Sequence, residues 1–381
     1  MAINSDSPSI RAGALALYTA GGLFWAFLPY FIGLQTDAGG LSQTQAGSLG
    51  SGYLLGFTLA SAGALWWVPR FNWRRVNLAG AVIIIAALAV LQDTDSYSVS
   101  LLAVIAVGVM MGSFWAIYYR IFAATANPDR NYAIGIVVSY TVLAVVSYVI
   151  GSYIIPASGL KGAAYTLGVA IILLASIGLL IPKNLAEEKV EAGYSYRPSR
   201  SIVLALIGIL TTGLAFASVW AFAERIGVTA GLSRDAVSPV IASNLLAAAA
   251  GSVLATLLGT RLGRRFSLFA GFIVMAVAVF MLFGATSVWL YAGGLIGLGF
   301  GIGFVMPYQM ALIAVLDSKG HFVVLIAAVQ GLGSAAGPLL GGLAADISGV
   351  DALLVFVLCT LALSAVAFAL VGSEVPDYRE V

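Results

Sequence analysis

Charge is what this sequence has least of. Its 381 residues include 18 Lys and Arg and 16 Asp and Glu, together 9% of the chain, where a soluble domain averages about 25%. So few charges do not cover a water-facing surface of this size, which excludes a soluble enzyme, and 61% apolar residues exclude disorder. Cysteine and histidine are nearly missing too. Cys359 stands alone, so no disulfide framework is possible. With His321 the only histidine, side chains offer no set of ligands for structural zinc, haem or an iron–sulfur cluster. No P-loop string occurs, so no ATP-driven step is expected on this chain. The glycine series Gly297, Gly299, Gly301 and Gly303, and the string Gly331 to Ser334, lie inside apolar runs. Neither follows a strand in a βαβ unit, as a dinucleotide loop requires. The expectations are no cofactor, no metal, no nucleic-acid partner and no enzymatic chemistry.

What the chain has instead is long apolar runs, many with no charge across 18 or more positions, the length of a transmembrane helix. A β-barrel would alternate apolar and polar residues over about ten positions, and these runs do not. Twelve segments are expected, at 12–34, 45–68, 76–92, 98–121, 132–155, 163–181, 202–226, 236–259, 267–286, 289–316, 322–345 and 351–371. The fold class is therefore an all-α polytopic membrane protein with twelve transmembrane helices and short loops. The first run, about 23 residues, exceeds the roughly 7–15 of a signal-peptide core and is expected to stay as a helix.

Lys and Arg set the orientation by the positive-inside rule. With the N-terminus inside, Arg11, Arg70, Arg74, Arg75, Arg120, Arg130, the basic residues of 183–200, Arg261, Arg264, Arg265, Lys319 and Arg379 all fall inside. Only Lys161, Arg225 and Arg234 fall outside. Both termini are expected in the cytoplasm. The lack of soluble insertions points to a bacterial inner membrane, with the lipid bilayer as surroundings and a monomer as the assembly.

The two halves repeat. Trp25-Ala26-Phe27 matches Trp220-Ala221-Phe222 at an offset of 195, and Gly40-Leu41-Ser42 matches Gly231-Leu232-Ser233 at 191. Arg74-Arg75 matches Arg264-Arg265 at 190 and Tyr119 matches Tyr308 at 189, which sets Arg120 opposite Gln309 and Arg130 opposite Lys319. The expected domains are an N-terminal six-helix bundle (1–182), a cytoplasmic linker (183–200) and a C-terminal six-helix bundle with a short tail (201–381). Paired bundles of this kind suit a transporter that opens alternately to either side.

Over essentially its whole length the chain resembles the major facilitator superfamily of secondary transporters. Its loop signature, G-x-x-x-D-R-x-G-R-R, is met in the second half by Arg261, Gly263, Arg264 and Arg265, without the first Gly and the Asp. In the first half only Arg74 and Arg75 match, and Arg70 stands where the Asp would be. The resemblance implies that these loop residues, with Arg130, act in conformational gating. Two antiporter marks are missing. Val104 stands where a fourth-helix Arg is usual, and Ser147 to Gly151 where the fifth helix usually has Gly-Pro. A comparable pattern, Gly333 to Gly342 with Gly337-Pro338, lies in the eleventh helix, where it reads as a kink with close packing.

The resemblance also implies a cavity lined by helices one, four, seven and ten. Aromatic residues there suit a ring or a sugar face: Tyr18, Trp25 and Tyr30 on the first, Trp115 and Tyr119 on the fourth, Trp220 on the seventh and Tyr308 on the tenth. Each also suits a lipid-facing or interhelical position. Arg120 suits an anionic group through its planar fork, or an interfacial anchor. Gln309 is its counterpart on the tenth helix. Asn244 and Gln330, mid-span on the eighth and eleventh, suit a solute or a facing helix equally. Glu224 is the one carboxylate placed within a span, continuing a stripe of Thr212, Phe216 and Trp220. An ionisable group there is costly and usually faces a cavity, which makes it the proton-coupling candidate; the alternative is a snorkelling interfacial residue. The expected function is a secondary transporter for a small organic solute, proton-coupled or facilitative. A drug or metabolite efflux pump, or a non-transporting receptor or scaffold on the same fold, are the alternatives.

Overall fold

The computed structural model describes residues 7–184, 198–317, 322 and 325–371. Among them, nine helices are long and apolar enough to cross a membrane. Two of these are bent pairs. Residues 130–178 break at Gly159 (φ 57°), and Leu325–Leu370 breaks at Ser348 and Gly349 (φ 76°). The less apolar helix Gln43–Ala62 adds one more, and twelve membrane helices result, as the apolar runs require.

In chain order they are α1 (Pro8–Asp37), α2 (Gln43–Ala62), α3 (Trp73–Asp93), α4 (Tyr97–Ala123), α5 (128–158), α6 (160–178), α7 (Arg200–Ala221), α8 (Arg234–Leu258), α9 (Arg264–Leu282), α10 (Val288–Leu316), α11 (325–347) and α12 (350–370). Local chemistry sets several starts. Ser7, Ser199 and Ser233 cap α1, α7 and α8 by accepting from the backbone N–H three residues on. Asn72 caps α3, its Oδ1 accepting from both Arg74 N and Arg75 N.

By their contacts the helices form two compact units. The first holds residues up to Gly40 and those from Ser48 to the end of α6; the second holds Leu41–Gly47 and the helices from α7 on. In the first unit, α1 packs on α4, α5 and α6, and α3 packs on α4 and α6. In the second, α7 packs on the α11–α12 pair, and α10 packs on α8 and α9. The Asp346 carboxylate there caps the Leu41–Gly47 segment, accepting from Gln43 N and Thr44 N at 2.9 and 2.8 Å.

The sequence repeat is a structural repeat inside the units. A Cβ at Gly108 of α4 would lie 2.0 Å from the Tyr53 carbonyl oxygen of α2. One at Gly303 of α10, 195 positions on, would lie 2.0 Å from the Ala248 carbonyl oxygen of α8. Only glycine lets the backbones approach so closely, as in membrane bundles generally. The basic pairs repeat as well, one residue out of the register expected. Arg74 Nε donates to the Ile181 carbonyl after α6 at 2.7 Å, and its counterpart is Arg265, which donates to the Val371 carbonyl after α12. A guanidinium on the last carbonyls of a helix satisfies orphan acceptors and opposes the negative end of the helix dipole. Each unit thus ties the start of its third helix to the end of its sixth.

Candidate functional site

The first unit concentrates its aromatic rings near one end of α1 and α4. Residues of α4 four and three apart fall on one face, which brings Trp115, Tyr118 and Tyr119 toward Tyr18 of α1. Tyr18 and Tyr118 are stacked, with centroids 4.2 Å apart and planes at 17°. Trp115 lies 4.7 Å from Tyr18, and Tyr119 approaches Tyr18 edge-on at 6.1 Å. Tyr132 of α5 closes the group, 5.8 Å from Tyr119, and its hydroxyl donates to the Tyr119 carbonyl at 2.8 Å. Trp115 Nε1 donates to the Tyr18 carbonyl at 3.0 Å, so its indole is fixed. Tyr18 and Tyr118 are buried, whereas Tyr119 is 45% exposed. The result is a rigid ring cluster with one open face, able to stack on a planar group.

Tyr118 and Tyr132 belong to this cluster although neither was expected to bind. The signal was present in the sequence, since Tyr118 adjoins Tyr119, but Tyr132 joins through the α4–α5 turn, which spacing along one helix does not reveal. Arg120, in the last turn of α4, is half-buried, and no carboxylate among the described residues lies within 4 Å of it. Trp25 is half-buried and Tyr30 buried, both further along α1.

The second unit has a polar network where the first has rings. Gln309 Nε2 donates to Thr212 Oγ1 at 2.8 Å, and Thr212 Oγ1 and Ser364 Oγ are 2.7 Å apart. Both hydroxyls also reach the Gly208 carbonyl. This brace joins α10, α7 and α12, and Gln309 is buried. Asn244 is buried and donates to the Leu295 carbonyl at 2.6 Å, linking α8 to α10. Tyr308 reaches the Ala255 carbonyl at 3.4 Å. The half-buried Gln330 points its amide at Met306 Sδ, 3.7 Å away. Trp220 is buried, with Phe216 parallel to it at 6.4 Å. Close packing at Gly333 and Gly337 is borne out: a Cβ at Gly333 would meet the Leu210 carbonyl at 2.0 Å, and Ser218 Oγ donates to the Gly337 carbonyl at 2.8 Å.

Glu224 does not continue the stripe that was expected. The run read as one span over 202–226 breaks because Phe222 (φ −101°, ψ 12°) ends α7 at Ala221, and Glu224 opens a short separate helix, Ala223–Thr229. Its carboxylate is 3% exposed and accepts from Arg234 Nε at 2.9 Å. The buried charge is thus matched by a guanidinium from the first turn of α8. In the first unit, where the antiporter Gly-Pro was missing, α5 passes through a π-helical turn, Ile150–Ile154. Such turns often mark functional positions.

Of the loop residues, Arg75, Arg130, Arg261 and Arg265 are exposed, Arg264 is half-buried, and Gly263 takes a positive φ of 79° before α9. Lys319, the expected counterpart of Arg130, and His321 lie outside the described residues, as does most of the linker.

Residues 204–380 match the family model of the Major Facilitator Superfamily. By sequence, the chain resembles that superfamily over its second half. Its fold agrees across the whole length: a crystal structure of the nucleoside transporter NupG, in a mutant form, superposes with a TM-score of 0.71 at 12% identity, covering 95% of this chain and 98% of that one. No curated protein matches the chain by sequence. The superfamily match falls on the second half, where three arginines and Gly263 keep the loop signature. The first half carries the same fold with less of it.

Proposed function

We propose that this chain is a secondary transporter of the Major Facilitator Superfamily kind, moving a small, uncharged or singly charged organic solute with a planar ring by alternating access across a cytoplasmic membrane. The observation that carries the solute class is the ring cluster of Tyr18, Trp115, Tyr118 and Tyr119 with its open face at Tyr119. Membrane burial makes polyanions unfavourable for a chain with so little charge. Nucleosides head the solutes to test, because a base presents a flat face to such a cluster and the structural relative carries nucleosides by its title. A solute with a single negative charge would be met by Arg120, which is half-buried and has no carboxylate within 4 Å among the described residues.

The test is ligand-dependent thermal stabilisation of the purified protein, followed by uptake into proteoliposomes, over nucleosides, sugars, monocarboxylates, amino acids and lipophilic aromatics. A nucleoside at 100 times its dissociation constant raises stability by about 2.7 kcal/mol. Tyr119→Ala then lowers affinity about tenfold, which is about 1.4 kcal/mol of lost stacking, in protein that still folds. Stabilisation by sugars or amino acids alone, equal in Tyr119→Ala, overturns the planar-ring reading. A melting curve that no solute moves, with no uptake, favours the receptor or scaffold alternative.

Direction and coupling are read from the same vesicles. Proton coupling through Glu224 requires that a pH gradient drive accumulation and that Glu224→Gln abolish it while exchange of labelled solute persists. Accumulation indifferent to the gradient makes the protein a facilitator and leaves Glu224 as a structural partner of Arg234.

A further inference from the structure

The turn between α2 and α3 holds a cavity apart from the ring cluster. It has a volume of about 410 Å³ and is lined by Arg70, Phe71, Asn72, Arg75, Val76 and Ala79. Its polar wall is basic. No carboxylate among the described residues lies within 4 Å of Arg70 or Arg75. The two other polar groups at this turn are already committed: Asn72 caps α3, and Arg74 is bound to the Ile181 carbonyl. Arg70 is held in place, its guanidinium lying over the Trp66 ring, 5.3 Å from the centroid, and donating to the Trp66 carbonyl. A fixed guanidinium loses less freedom on binding an anion than a waving one.

The other wall is apolar and continues onto the outside of the unit. Leu65, Trp66 and Phe71 flank the turn, and Leu78 and Val82 extend the apolar surface along α3; all are exposed, Trp66 by 63%. Tryptophan at such a place is the side chain of a membrane–water interface. A site with two cations at the top and a hydrocarbon-facing stripe below matches one class of molecule, an amphiphile with an anionic head.

We propose that this cavity is a binding site for an anionic phospholipid, its phosphodiester held between Arg70 and Arg75 and an acyl chain running past Val76 and Ala79 along α3. The positive-inside orientation places it in the cytoplasmic leaflet, where such clusters meet anionic headgroups. The inference needs the chain to be a membrane protein and is independent of which solute it carries.

The experiment is a titration of the purified full chain in neutral detergent with phosphatidylglycerol and with phosphatidylcholine of the same acyl chains, read by thermal stability and native mass spectrometry. Inorganic phosphate serves as the headless control. We expect phosphatidylglycerol to bind at least tenfold more tightly than phosphatidylcholine. That preference falls to within twofold in the Arg70→Ala/Arg75→Ala double variant and is unchanged in Arg261→Ala, which removes a loop arginine of the other unit. Equal binding of the two lipids, a preference surviving the double variant, or phosphate protecting as well as the lipid overturns the site. Should the double variant not fold, the unaltered protein decides. A photoactivatable phosphatidylglycerol then labels peptides of residues 65–82, and a labelling pattern spread over all helices equally overturns the proposal.

Discussion

The two units share a backbone plan and differ in what they bury. Both tie the third helix to the sixth by an arginine on terminal carbonyls, Arg74 to Ile181 and Arg265 to Val371. Both bring helices two and four of the unit together at a glycine, Gly108 or Gly303. Around these shared features the first unit places stacked rings, Tyr18, Trp115, Tyr118 and Tyr119, and the second places hydroxyls and amides, Thr212, Gln309 and Ser364. The residues kept at matching positions hold helices together, and the side chains around them differ from one unit to the other. The divergence reaches the helices themselves. Trp25 and Trp220 match, yet α1 runs unbroken through Pro29 to Asp37, whereas α7 stops at Ala221 and yields the Glu224–Arg234 pair.

The strongest test of the shared plan is to fill its closest approaches. Gly108→Leu and Gly303→Leu each drive a side chain into a carbonyl 2.0 Å from the Cβ position. A backbone does not yield as a side chain does, so each costs about 3 kcal/mol or more, seen as loss of monodisperse protein or a drop of many degrees in melting temperature. Equal damage in both units supports the repeat as a packing device. Tolerance in one unit breaks the comparison there.

Glu224→Ala comes next and acts on one unit alone. It removes the carboxylate facing Arg234, whose side chain is 40% exposed and so regains water there. The loss is therefore about 1–2 kcal/mol, below the 3–5 of a fully buried pair. Glu224→Gln keeps an acceptor for Arg234 Nε and recovers about half. Equal losses in the two variants would show that charge, and not the hydrogen bond, holds the short helix to α8. The arginine ties follow. Arg74→Gln and Arg265→Gln each cost about 1 kcal/mol, since both side chains are exposed and the bonds are charge-assisted. A difference of more than about 1 kcal/mol between them means that one tie is redundant.

Much of the fold was legible because length and apolarity are enough to count membrane helices, and because matches such as Trp25 with Trp220 survive in linear sequence. The exact pairing of Arg74 with Arg265 was not, since the drifting offset leaves one residue of slack that only the carbonyl partners resolve. Composition does not reveal the end of α7 at Ala221 either: Phe222 and Ala223 are as apolar as the helix before them, so the break is invisible to hydropathy. The site was legible in half. Tyr18, Trp115 and Tyr119 do meet. Asn244, Tyr308 and Gln309, equally plausible as solute ligands, turn out to bond neighbouring helices within their unit, and a sequence cannot tell a polar group that holds a helix from one that holds a solute.

Gln309→Leu separates those two roles with the smallest effect of all. The leucine fills most of the same volume and removes the amide, and Thr212 keeps its bonds to the Gly208 carbonyl and Ser364. No acceptor is left stranded, so the cost is that of one interhelical hydrogen bond in a membrane, about 0.6 kcal/mol on average and at most about 1.7. If the amide is a brace, the melting temperature falls by a degree or two and solute affinity holds within twofold. If it is a ligand, stability stays level and affinity falls tenfold or more, which would make the second unit's network, and not only the first unit's rings, part of the solute site. Thr212→Val, which strips the hub of the same network, should then cost more stability than Gln309→Leu under the brace reading, because it leaves the buried Gln309 Nε2 without its acceptor and Ser364 Oγ with the Gly208 carbonyl alone.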